Sequence, residues 1–283
     1  MSPPQKPFKT FRQTRLFGLF GTPVSQSLSP LMQNAAFAHA GVDAVCLAFD
    51  APDIQKGISA MRALGMGGGS VTMPHKTAAA ALADDLDGPA KAVGAVNTIV
   101  NRNGILRGHN TDIPGALAAL GEKTSIRGKS AAVIGAGGAA AAMVFGIMEA
   151  GGRVTILNRS VQRGEALARR LGADFLPLGE MEAGAFDIVA NATPAGMAPD
   201  IESMPIPANS LKKGMTVMDA VYHPLKTRLI RTAEKAGCRV VDGAAMFVFQ
   251  GAAQFELWTG LKPPVAVMRR AVLTALGVSG GER

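Results

Sequence analysis

The chain is 283 residues long, 48% hydrophobic and 18% charged, with a net charge of +8 at pH 7. The length suits two domains, and the composition is too apolar for a disordered chain and too interrupted by charge for a membrane protein. The basic residues form no run of five and are not interleaved with aromatic residues, which favours a small anionic ligand over nucleic acid. Solvated surface charge explains the excess equally well.

Cysteine usage and the N-terminal segment bear on the compartment. Cys46 and Cys238 lie far apart and match neither C-x-x-C nor a Cys/His ligand spacing, which argues against a disulfide framework and against a metal site. Residues 1–15 carry four basic side chains but no apolar stretch after them, so they do not resemble a signal peptide. We expect a cytoplasmic protein with no membrane-spanning segment.

Strand-like and helix-like patterns alternate along the first part of the chain, as in α/β proteins with mostly parallel sheets. A helix is expected to begin with Ser29 as its N-cap and Pro30 in its first turn. A hairpin is expected over Arg102-Asn103-Gly104. The other elements predicted here are strands over 16–20, 44–49 and 70–73, a helix over 53–64, and the hairpin strands over 95–101 and 105–108.

A second, more regular series follows and predicts a βαβ-based nucleotide domain. Its predicted strands cover 131–134, 153–157, 187–190, 216–219 and 239–241, and its helices run to residue 150 and over 161–171 and 225–236. Two further helices are predicted at 245–258 and 264–276. Because the first series lacks a closing element, we expect these helices to return to it. The predicted domains are therefore 1–114 with 244–283, and 115–243.

A glycine-rich turn opens the second series. It reads Gly135-Ala136-Gly137-Gly138-Ala139-Ala140, follows an apolar strand and opens a helix, so it matches G-x-G-x-x-A in the required context. Gly135 suits the tight turn, Gly137 lets the backbone approach a pyrophosphate, and Ala140 permits close helix packing. A merely tight turn is the alternative, but the placement favours a Rossmann-type dinucleotide site.

The end of the next strand distinguishes the two nicotinamide cofactors. NAD sites place an Asp or Glu there for the ribose 2′-hydroxyl, whereas this chain has Asn158-Arg159-Ser160, followed by Arg163. Arg159 can stack on adenine and pair with a 2′-phosphate, and Arg163 adds charge from the first helical turn. We therefore predict NADP(H); two ordinary surface arginines are the weaker interpretation.

Polar residues of the first domain concentrate at predicted strand ends, where open α/β sheets bind ligands. They supply hydroxyls, an amide, one ammonium and one carboxylate, the groups needed to hold a polyhydroxylated acid and move one proton. Each alone has a structural explanation, such as a helix cap or a solvated charge. The segments are Ser27-Leu28-Ser29-Pro30, Thr72-Met73-Pro74-His75-Lys76, Asn97-Thr98 and Asn110-Thr111-Asp112.

With these motifs in order over nearly its whole length, the chain resembles the shikimate dehydrogenase family. Further segments that carry the resemblance are the glycine turn, Asn158-Arg159-Ser160, 191–197, 219–224 and 250–254. The resemblance implies the reversible NADPH-linked reduction of 3-dehydroshikimate to shikimate, a step of chorismate and aromatic amino acid synthesis. It implies a small-molecule substrate, and leaves open whether the chain is a monomer or a homodimer.

The resemblance also implies roles for individual residues. Lys76 and Asp112 would be the catalytic pair, with Lys76 exchanging the proton and Asp112 holding its ammonium. Ser27, Ser29 and Tyr222 would bind the substrate carboxylate, and Thr72, Asn97 and Gln250 its ring hydroxyls. The nicotinamide half of the crevice would be lined by Thr193, Gly196, Gly243 and Met246.

Three departures from the family pattern and two competing functions remain. Ser70 stands where many members have Asn, Ile113 where Gly is common, and Ala140 where a small polar residue is common; the Ser70 change bears on fine substrate preference. His75 is ranked below Lys76 as the proton-transfer group. The competing functions are a quinate or dual quinate/shikimate dehydrogenase using NAD, and a non-catalytic metabolite sensor, which should have lost Lys76 or Asp112.

Overall fold

The computed structural model describes residues 14–182 and 184–278. Two parts of the predicted first domain lie outside the described residues. They are residues 1–13, from the N-terminal segment that does not resemble a signal peptide, and residues 279–283.

The first half of the chain builds a six-stranded mixed sheet in the order β2-β1-β3-β5-β6-β4. Strand β1 pairs in parallel with β2 and β3, while β5 pairs antiparallel with both β3 and β6. Its strands are β1 (Arg15–Gly21), β2 (Ala44–Asp50), β3 (Gly68–Val71), β4 (Asp85–Leu86), β5 (Thr98–Arg102) and β6 (Ile105–His109). Its helices are α1 (Ser29–His39), α2 (Ile54–Ala63), α3 (Lys76–Leu82), α4 (Gly88–Val93) and α5 (Asp112–Gly121).

The second sheet is wholly parallel, in the order β12-β11-β10-β7-β8-β9. Read from the other edge this is the 3-2-1-4-5-6 order of dinucleotide-binding folds, whose ligands lie at the carboxyl ends of the strands where the order reverses. Its strands are β7 (Ser130–Ile134), β8 (Arg153–Asn158), β9 (Asp174–Pro177), β10 (Ile188–Asn191), β11 (Thr216–Asp219) and β12 (Arg239–Val241). Its helices are α6 (Gly138–Glu149), α7 (Val161–Leu171) and α8 (Arg228–Lys235).

Two C-terminal helices, α9 (Gly243–Thr259) and α10 (Val265–Ala275), return to the first sheet as predicted. Trp258 is 2% exposed, stacks on Phe17 of β1 at 4.8 Å between ring centroids, and donates from Nε1 to the Ile99 carbonyl at 3.0 Å. This fills the core between β1, α1, α9 and α10. The predicted two-domain α/β fold class is confirmed, whereas the boundaries near 114 and 243, which α5 and α9 span, stay a prediction.

Four local predictions differ from the structure. Strand β5 begins at Thr98 rather than at residue 95, and helix α8 begins at Arg228 rather than at residue 225. Ser29 is the first residue of α1 and the N-cap is Leu28, with no side-chain cap hydrogen bond. Strand β3 spans Gly68–Val71, not 70–73, because its glycines are packing positions: a Cβ at Gly68 would lie 2.2 Å from the Ile99 carbonyl oxygen. In the sequence, consecutive glycines are typical of a turn. Here they form a strand, and other residues pack closely against it.

Five elements were not predicted: α3, α4, α5, β4 and β9. The strands have two and four residues, and α3 and α4 have seven and six, too short for a periodic pattern to stand out. In α5, Pro114 looks like a helix breaker, but it sits in the first turn, where its missing N–H has no partner to lose. Lys76 and Asp112 thus each begin a helix.

Candidate active site

The predicted catalytic pair forms an ion pair at the centre of the molecule. Lys76 Nζ lies 2.5 Å from Asp112 Oδ2, and the two side chains are 18% and 6% exposed. Each starts a helix, α3 and α5, so both are held on rigid backbone. The pair can therefore present one mostly buried, oriented ammonium to a substrate oxygen.

Asp112 is in turn fixed by a buried amide network around Asn97. Asn97 Nδ2 donates to Asp112 Oδ1 and to Thr111 Oγ1, both at 2.9 Å, and reaches Gln250 Oε1 at 3.4 Å. Asn97 Oδ1 accepts from the Thr111 N–H at 2.7 Å. The network brings Gln250, 153 residues away in sequence, to the predicted pair. The second carboxylate oxygen is thus occupied, and only Oδ2 faces Lys76.

Two neighbouring side chains, Ser70 and His75, have clear partners, and a backbone hydrogen bond positions Thr72. Ser70, one of the departures, accepts at Oγ from Gln254 Nε2 at 3.0 Å and is 6% exposed, so it takes part in the buried network that reaches Asn97. His75 is 8% exposed, and its Nε2 lies 2.8 Å from the Ala51 carbonyl, so this ring nitrogen is engaged by the backbone. Thr72 follows β3 and is half-buried, with its N–H bonded to the Phe20 carbonyl at 2.9 Å.

The residues predicted to hold a carboxylate lie together at the start of α1. Ser27 Oγ accepts from the Ser29 N–H at 3.4 Å, and Ser29 is 4% exposed. Burial raises the pKa of Tyr222, and its hydrogen bonds with Ser27 and with the Leu28 backbone oppose the shift. Tyr222 comes from the loop after β11, so the second sheet contributes to this corner of the first.

The glycine turn has an open face that can admit a ligand, and it packs beside Lys76. Gly135 has φ +121°, and a Cβ there would lie 3.1 Å from Thr193 Cγ2, whereas a Cβ at Gly137 would meet nothing within 4 Å. That open face at the start of α6 is what a dinucleotide pyrophosphate requires. A Cβ at Gly138 would lie 3.5 Å from Lys76 Cβ and Cδ, so the cofactor turn rests against the stem of Lys76.

The end of β8 fits a 2′-phosphate. Asn158 Nδ2 donates to the Ser160 carbonyl at 2.8 Å, and Ser160 Oγ caps α7 by accepting from the Arg163 N–H at 3.4 Å. Arg159 and Arg163 are both exposed, and no acidic side chain stands in Asn158-Arg159-Ser160. Two exposed guanidinium groups at a helix N-terminus are suited to a phosphate dianion.

The other predicted cofactor residues line the same edge of the second sheet. Thr193 donates from Oγ1 to Asn191 Oδ1 at 2.7 Å, and Gly196 has φ +87°. A Cβ at Gly243 would lie 2.4 Å from the Val221 carbonyl oxygen, so only glycine fits there. Met246, on the next turn of α9, is 6% exposed.

Comparison with known proteins identifies the family. Residues 19–99 match the shikimate dehydrogenase substrate binding domain, residues 117–212 the shikimate/quinate 5-dehydrogenase model, and residues 243–273 the shikimate 5′-dehydrogenase C-terminal domain. A shikimate dehydrogenase (NADP(+)) of Moorella thermoacetica is 44% identical over 95% of this chain and 96% of its own length. The chain belongs to the shikimate dehydrogenase family.

Two further members give the extent of the similarity. The shikimate dehydrogenase (NADP(+)) of Symbiobacterium thermophilum is 47% identical over 93% of this chain and 95% of its own. The crystal structure of shikimate 5-dehydrogenase from Thermus thermophilus in complex with NADP(H) and shikimate superposes with a TM-score of 0.87, at 37% identity over 92% of this chain and 99% of that one. Both sheets of this shikimate dehydrogenase family member are therefore shared with an enzyme whose crystal structure contains NADP(H) and shikimate.

Sequence reasoning missed several polar residues of this family member. Thr111 and Gln254 complete the network around Asn97, and Asn191 and Asp219 are wholly buried at the ends of β10 and β11. The sequence did contain evidence for these four residues, because each lies inside a motif that carried the family resemblance. In addition, Asn191 and Asp219 end apolar parallel strands, and polar residues at that position lie at the ligand-binding edge of the sheet.

Ile113 and Ala140, the other two departures, are packing residues. Ile113 is 7% exposed, and its Cγ2 would lie 3.2 Å from a Cβ at Gly146 of α6. Ala140 is fully buried. Neither removes a predicted catalytic group.

Within residues 14–182 and 184–278, no helix is long and apolar enough to cross a bilayer. The same residues contain no cluster of three or more His, Cys, Asp or Glu side chains arranged to hold a metal ion.

Proposed function

We propose that this chain is an NADP-dependent shikimate dehydrogenase, an oxidoreductase that interconverts 3-dehydroshikimate, NADPH and a proton with shikimate and NADP⁺. The observation that carries the proposal is the Lys76–Asp112 ion pair, which rests against the glycine turn at Gly138. One group able to move a proton thus lies beside the turn that is shaped for the cofactor. NADPH, when bound, supplies the hydride.

Lys76 is the proton-transfer residue of this proposal. In the reductive direction its Nζ gives a proton to the carbonyl oxygen of the substrate, and in the oxidative direction it takes the proton from the hydroxyl. Asp112 orients that ammonium and offsets its charge, and Asn97 holds Asp112 from the other side. Only a fifth of the Lys76 side chain is open to solvent, which limits competition from water.

Substrate binding is assigned to two groups of residues. Ser27, Ser29 and Tyr222 lie together with hydroxyl groups beside the start of α1, which suits an anionic carboxylate. Asn97 and Gln250 belong to the hydrogen-bond network beside the ion pair, and Thr72 lies four residues before Lys76 in the same segment. These three residues offer the donors and acceptors that ring hydroxyls need.

Cofactor binding is assigned to the carboxyl edge of the second sheet. The pyrophosphate would lie at the glycine turn and the start of α6, the 2′-phosphate at the end of β8, and the nicotinamide on the side of α9. The residues assigned are Gly135, Ala136, Gly137, Gly138, Ala139, Asn158, Arg159, Ser160, Arg163, Thr193, Gly196, Gly243 and Met246.

An assay of purified protein with shikimate or quinate and with NADP⁺ or NAD⁺ tests the proposal directly. Appearance of reduced nicotinamide should be fastest with shikimate and NADP⁺. Preference for quinate with NAD⁺ would establish the competing dehydrogenase, and ligand binding without turnover would establish the sensor. Both Lys76 and Asp112 are present and paired, which speaks against the sensor.

Replacing Arg159 by Glu is expected to weaken the binding of NADP⁺ far more than that of NAD⁺. The substitution exchanges a guanidinium partner of the 2′-phosphate for a like charge, so the Kd of NADP⁺ should rise by about tenfold to a hundredfold, while that of NAD⁺ changes little. Calorimetric titration of both cofactors measures this. Arg169→Glu makes the same charge change near the far end of α7, 72% exposed, and should alter neither Kd. Equal losses for both cofactors in Arg159→Glu would contradict a phosphate-reading role.

A further inference from the structure

A buried hydrogen-bonded cluster links the loop that follows β10 to the loop that follows β11. It has no role in the mechanism above. It consists of Asn191 at the end of β10, Asp219 at the end of β11, and Thr227, which caps α8. All three are wholly inaccessible to solvent. We call these residues the Asp219 cluster.

Each oxygen of the Asp219 carboxylate has a donor. Oδ1 accepts from Asn191 Nδ2 at 2.9 Å and from the Val221 N–H at 3.0 Å, and Oδ2 accepts from Thr227 Oγ1 at 2.6 Å. None of the ion pairs found among the described residues includes Asp219. A buried carboxylate held by neutral donors alone is costly to maintain, so its retention calls for a function other than charge pairing.

The cluster reaches the nicotinamide side through Asn191. Its Oδ1 accepts from the Thr193 N–H at 3.0 Å and from Thr193 Oγ1 at 2.7 Å, and its Nδ2 reaches the Ala195 carbonyl at 3.3 Å. Thr193 is the residue that faces Gly135 of the glycine turn. The position of the loop over 192–197 therefore depends on an amide that Asp219 orients.

The cluster reaches the substrate side through Val221. Because Asp219 binds the Val221 N–H, it sets the start of the loop that carries Tyr222, whose hydroxyl meets Ser27 and the Leu28 backbone. Gly243, the first residue of α9, packs against the carbonyl group of this same residue, Val221. One carboxylate thus holds both loops that approach the ligands from the second sheet.

We infer that Asp219 is a positioning residue that uses its negative charge to hold the Thr193 loop and the Tyr222 loop in register, so that neutralising it weakens binding of cofactor and substrate together. The inference rests on the proposed function, because these are the ligands it assigns. Asp219 itself is not catalytic, since the mechanism places no reacting atom at it.

The protonation of Asp219 gives the inference a measurable signature. Burial raises the pKa of Asp219 to about 6, against the lowering effect of its hydrogen bonds with Thr227, Val221 and Asn191. The groups that face it from β10, from the following loop and from α8 are these three, and no charged described residue contributes to its pKa. The carboxylate therefore changes charge near pH 6.

The expected effects on stability and on binding have opposite signs. The pKa of Asp219 is higher in the folded than in the unfolded chain, so its contribution to folding is greatest at pH below about 4 and declines as pH rises through about 6. The affinity for NADP⁺ and for shikimate should instead increase as pH rises through about 6. The reason is that the ionised Asp219 carboxylate holds the two loops. A merely structural carboxylate would move stability alone.

The test compares the wild type with Asp219→Asn by calorimetric titration of NADP⁺ and of shikimate between pH 5 and pH 8. At pH 8 the variant should bind each ligand about tenfold more weakly, a typical size for coupling between sites. At pH 5 the two proteins should bind alike, because Asp219 is protonated in the wild type. Using the ratio of the two proteins at each pH cancels the titration of the ligands and of the histidines.

Two further variants keep the test decisive. Asp174→Asn removes an exposed carboxylate from β9 and should leave both Kd values unchanged at every pH. Thr227→Val keeps the side-chain shape but removes the donor that lowers the pKa of Asp219, so the midpoint of the binding profile should move to higher pH. It also provides the test should Asp219→Asn fail to fold.

The inference would be overturned if the ratio of the Kd values of Asp219→Asn and wild type were the same at pH 5 and pH 8. It would also be overturned if Asp219→Asn had the same Kd values as the wild type at pH 8. Those outcomes leave the proposed function intact. A wild type that binds neither NADP⁺ nor shikimate would overturn the proposed function, and the inference with it.

Discussion

Replacing Lys76 by Ala is expected to lower kcat by about 10² to 10⁴, the usual contribution of positioned acid–base catalysis, with a smaller change in KM for shikimate. The physical reason is the loss of the ammonium that lies 2.5 Å from Asp112, on a side chain whose stem packs beside the glycine turn. Steady-state kinetics in both directions measures the effect. Lys91→Ala, an exposed lysine on α4, is the matched control and should retain full activity.

Asp112→Asn tests whether the pair acts as a unit. The substitution preserves shape but removes the charge that orients Lys76, so kcat should again fall. In the Lys76→Ala, Asp112→Asn double variant the loss should be smaller than the sum of the two, expressed as free energies, because each single change already disables the pair. If both single variants raised KM with kcat intact, the pair would only bind substrate, and His75 or a water molecule would have to be the proton-transfer group.

Replacing Trp258 by Ala is expected to lower the free energy of unfolding by about 3–5 kcal/mol. The indole is 2% exposed, stacks on Phe17, and donates to the Ile99 carbonyl, so its removal leaves a cavity and removes one hydrogen bond to that buried carbonyl. Urea unfolding at constant m-value measures the loss. Because Trp258 fastens α9 to the first sheet, the same variant should also bind shikimate less well through displacement of Gln250.

Two variants separate the contributions at this position. Leu261→Ala, at a leucine that is 45% exposed just after α9, should change stability by less than about 0.5 kcal/mol. Trp258→Phe keeps an aromatic ring but removes the indole hydrogen bond to the Ile99 carbonyl, and should cost an intermediate amount, about 1–3 kcal/mol. A loss no larger in Trp258→Ala than in Leu261→Ala would show that α9 is not anchored here.

Sequence alone determined the features that depend on local order. The glycine turn was recognised because a tight strand-to-helix turn beside a pyrophosphate tolerates only small residues, and Gly135 and Gly137 have the φ value and the open face that this requires. The NADP prediction likewise followed from the residue type at one strand end, Arg159. The family resemblance implied that Lys76 and Asp112 are the catalytic pair, and they are the ammonium and the carboxylate that the substrate-side motifs contain.

Tertiary structure decided what depends on long-range packing. Ser29 has a cap residue's side chain, yet it is the first residue of α1, because helix ends follow the path of the whole chain. The Gly68-Gly69 strand exists because Trp258 and Phe20 cover it, which no local pattern reveals. Asn97 is hydrogen-bonded to Gln250, and Asp219 is hydrogen-bonded to Asn191 and to Val221, which begin the Thr193 loop and the Tyr222 loop. Asn97 and Gln250, and likewise Asn191 and Asp219, are far apart in sequence and become neighbours only when the sheets have folded. Side-chain type can be read one residue at a time, but a buried hydrogen-bond network is defined by partners that are brought together only when the core closes.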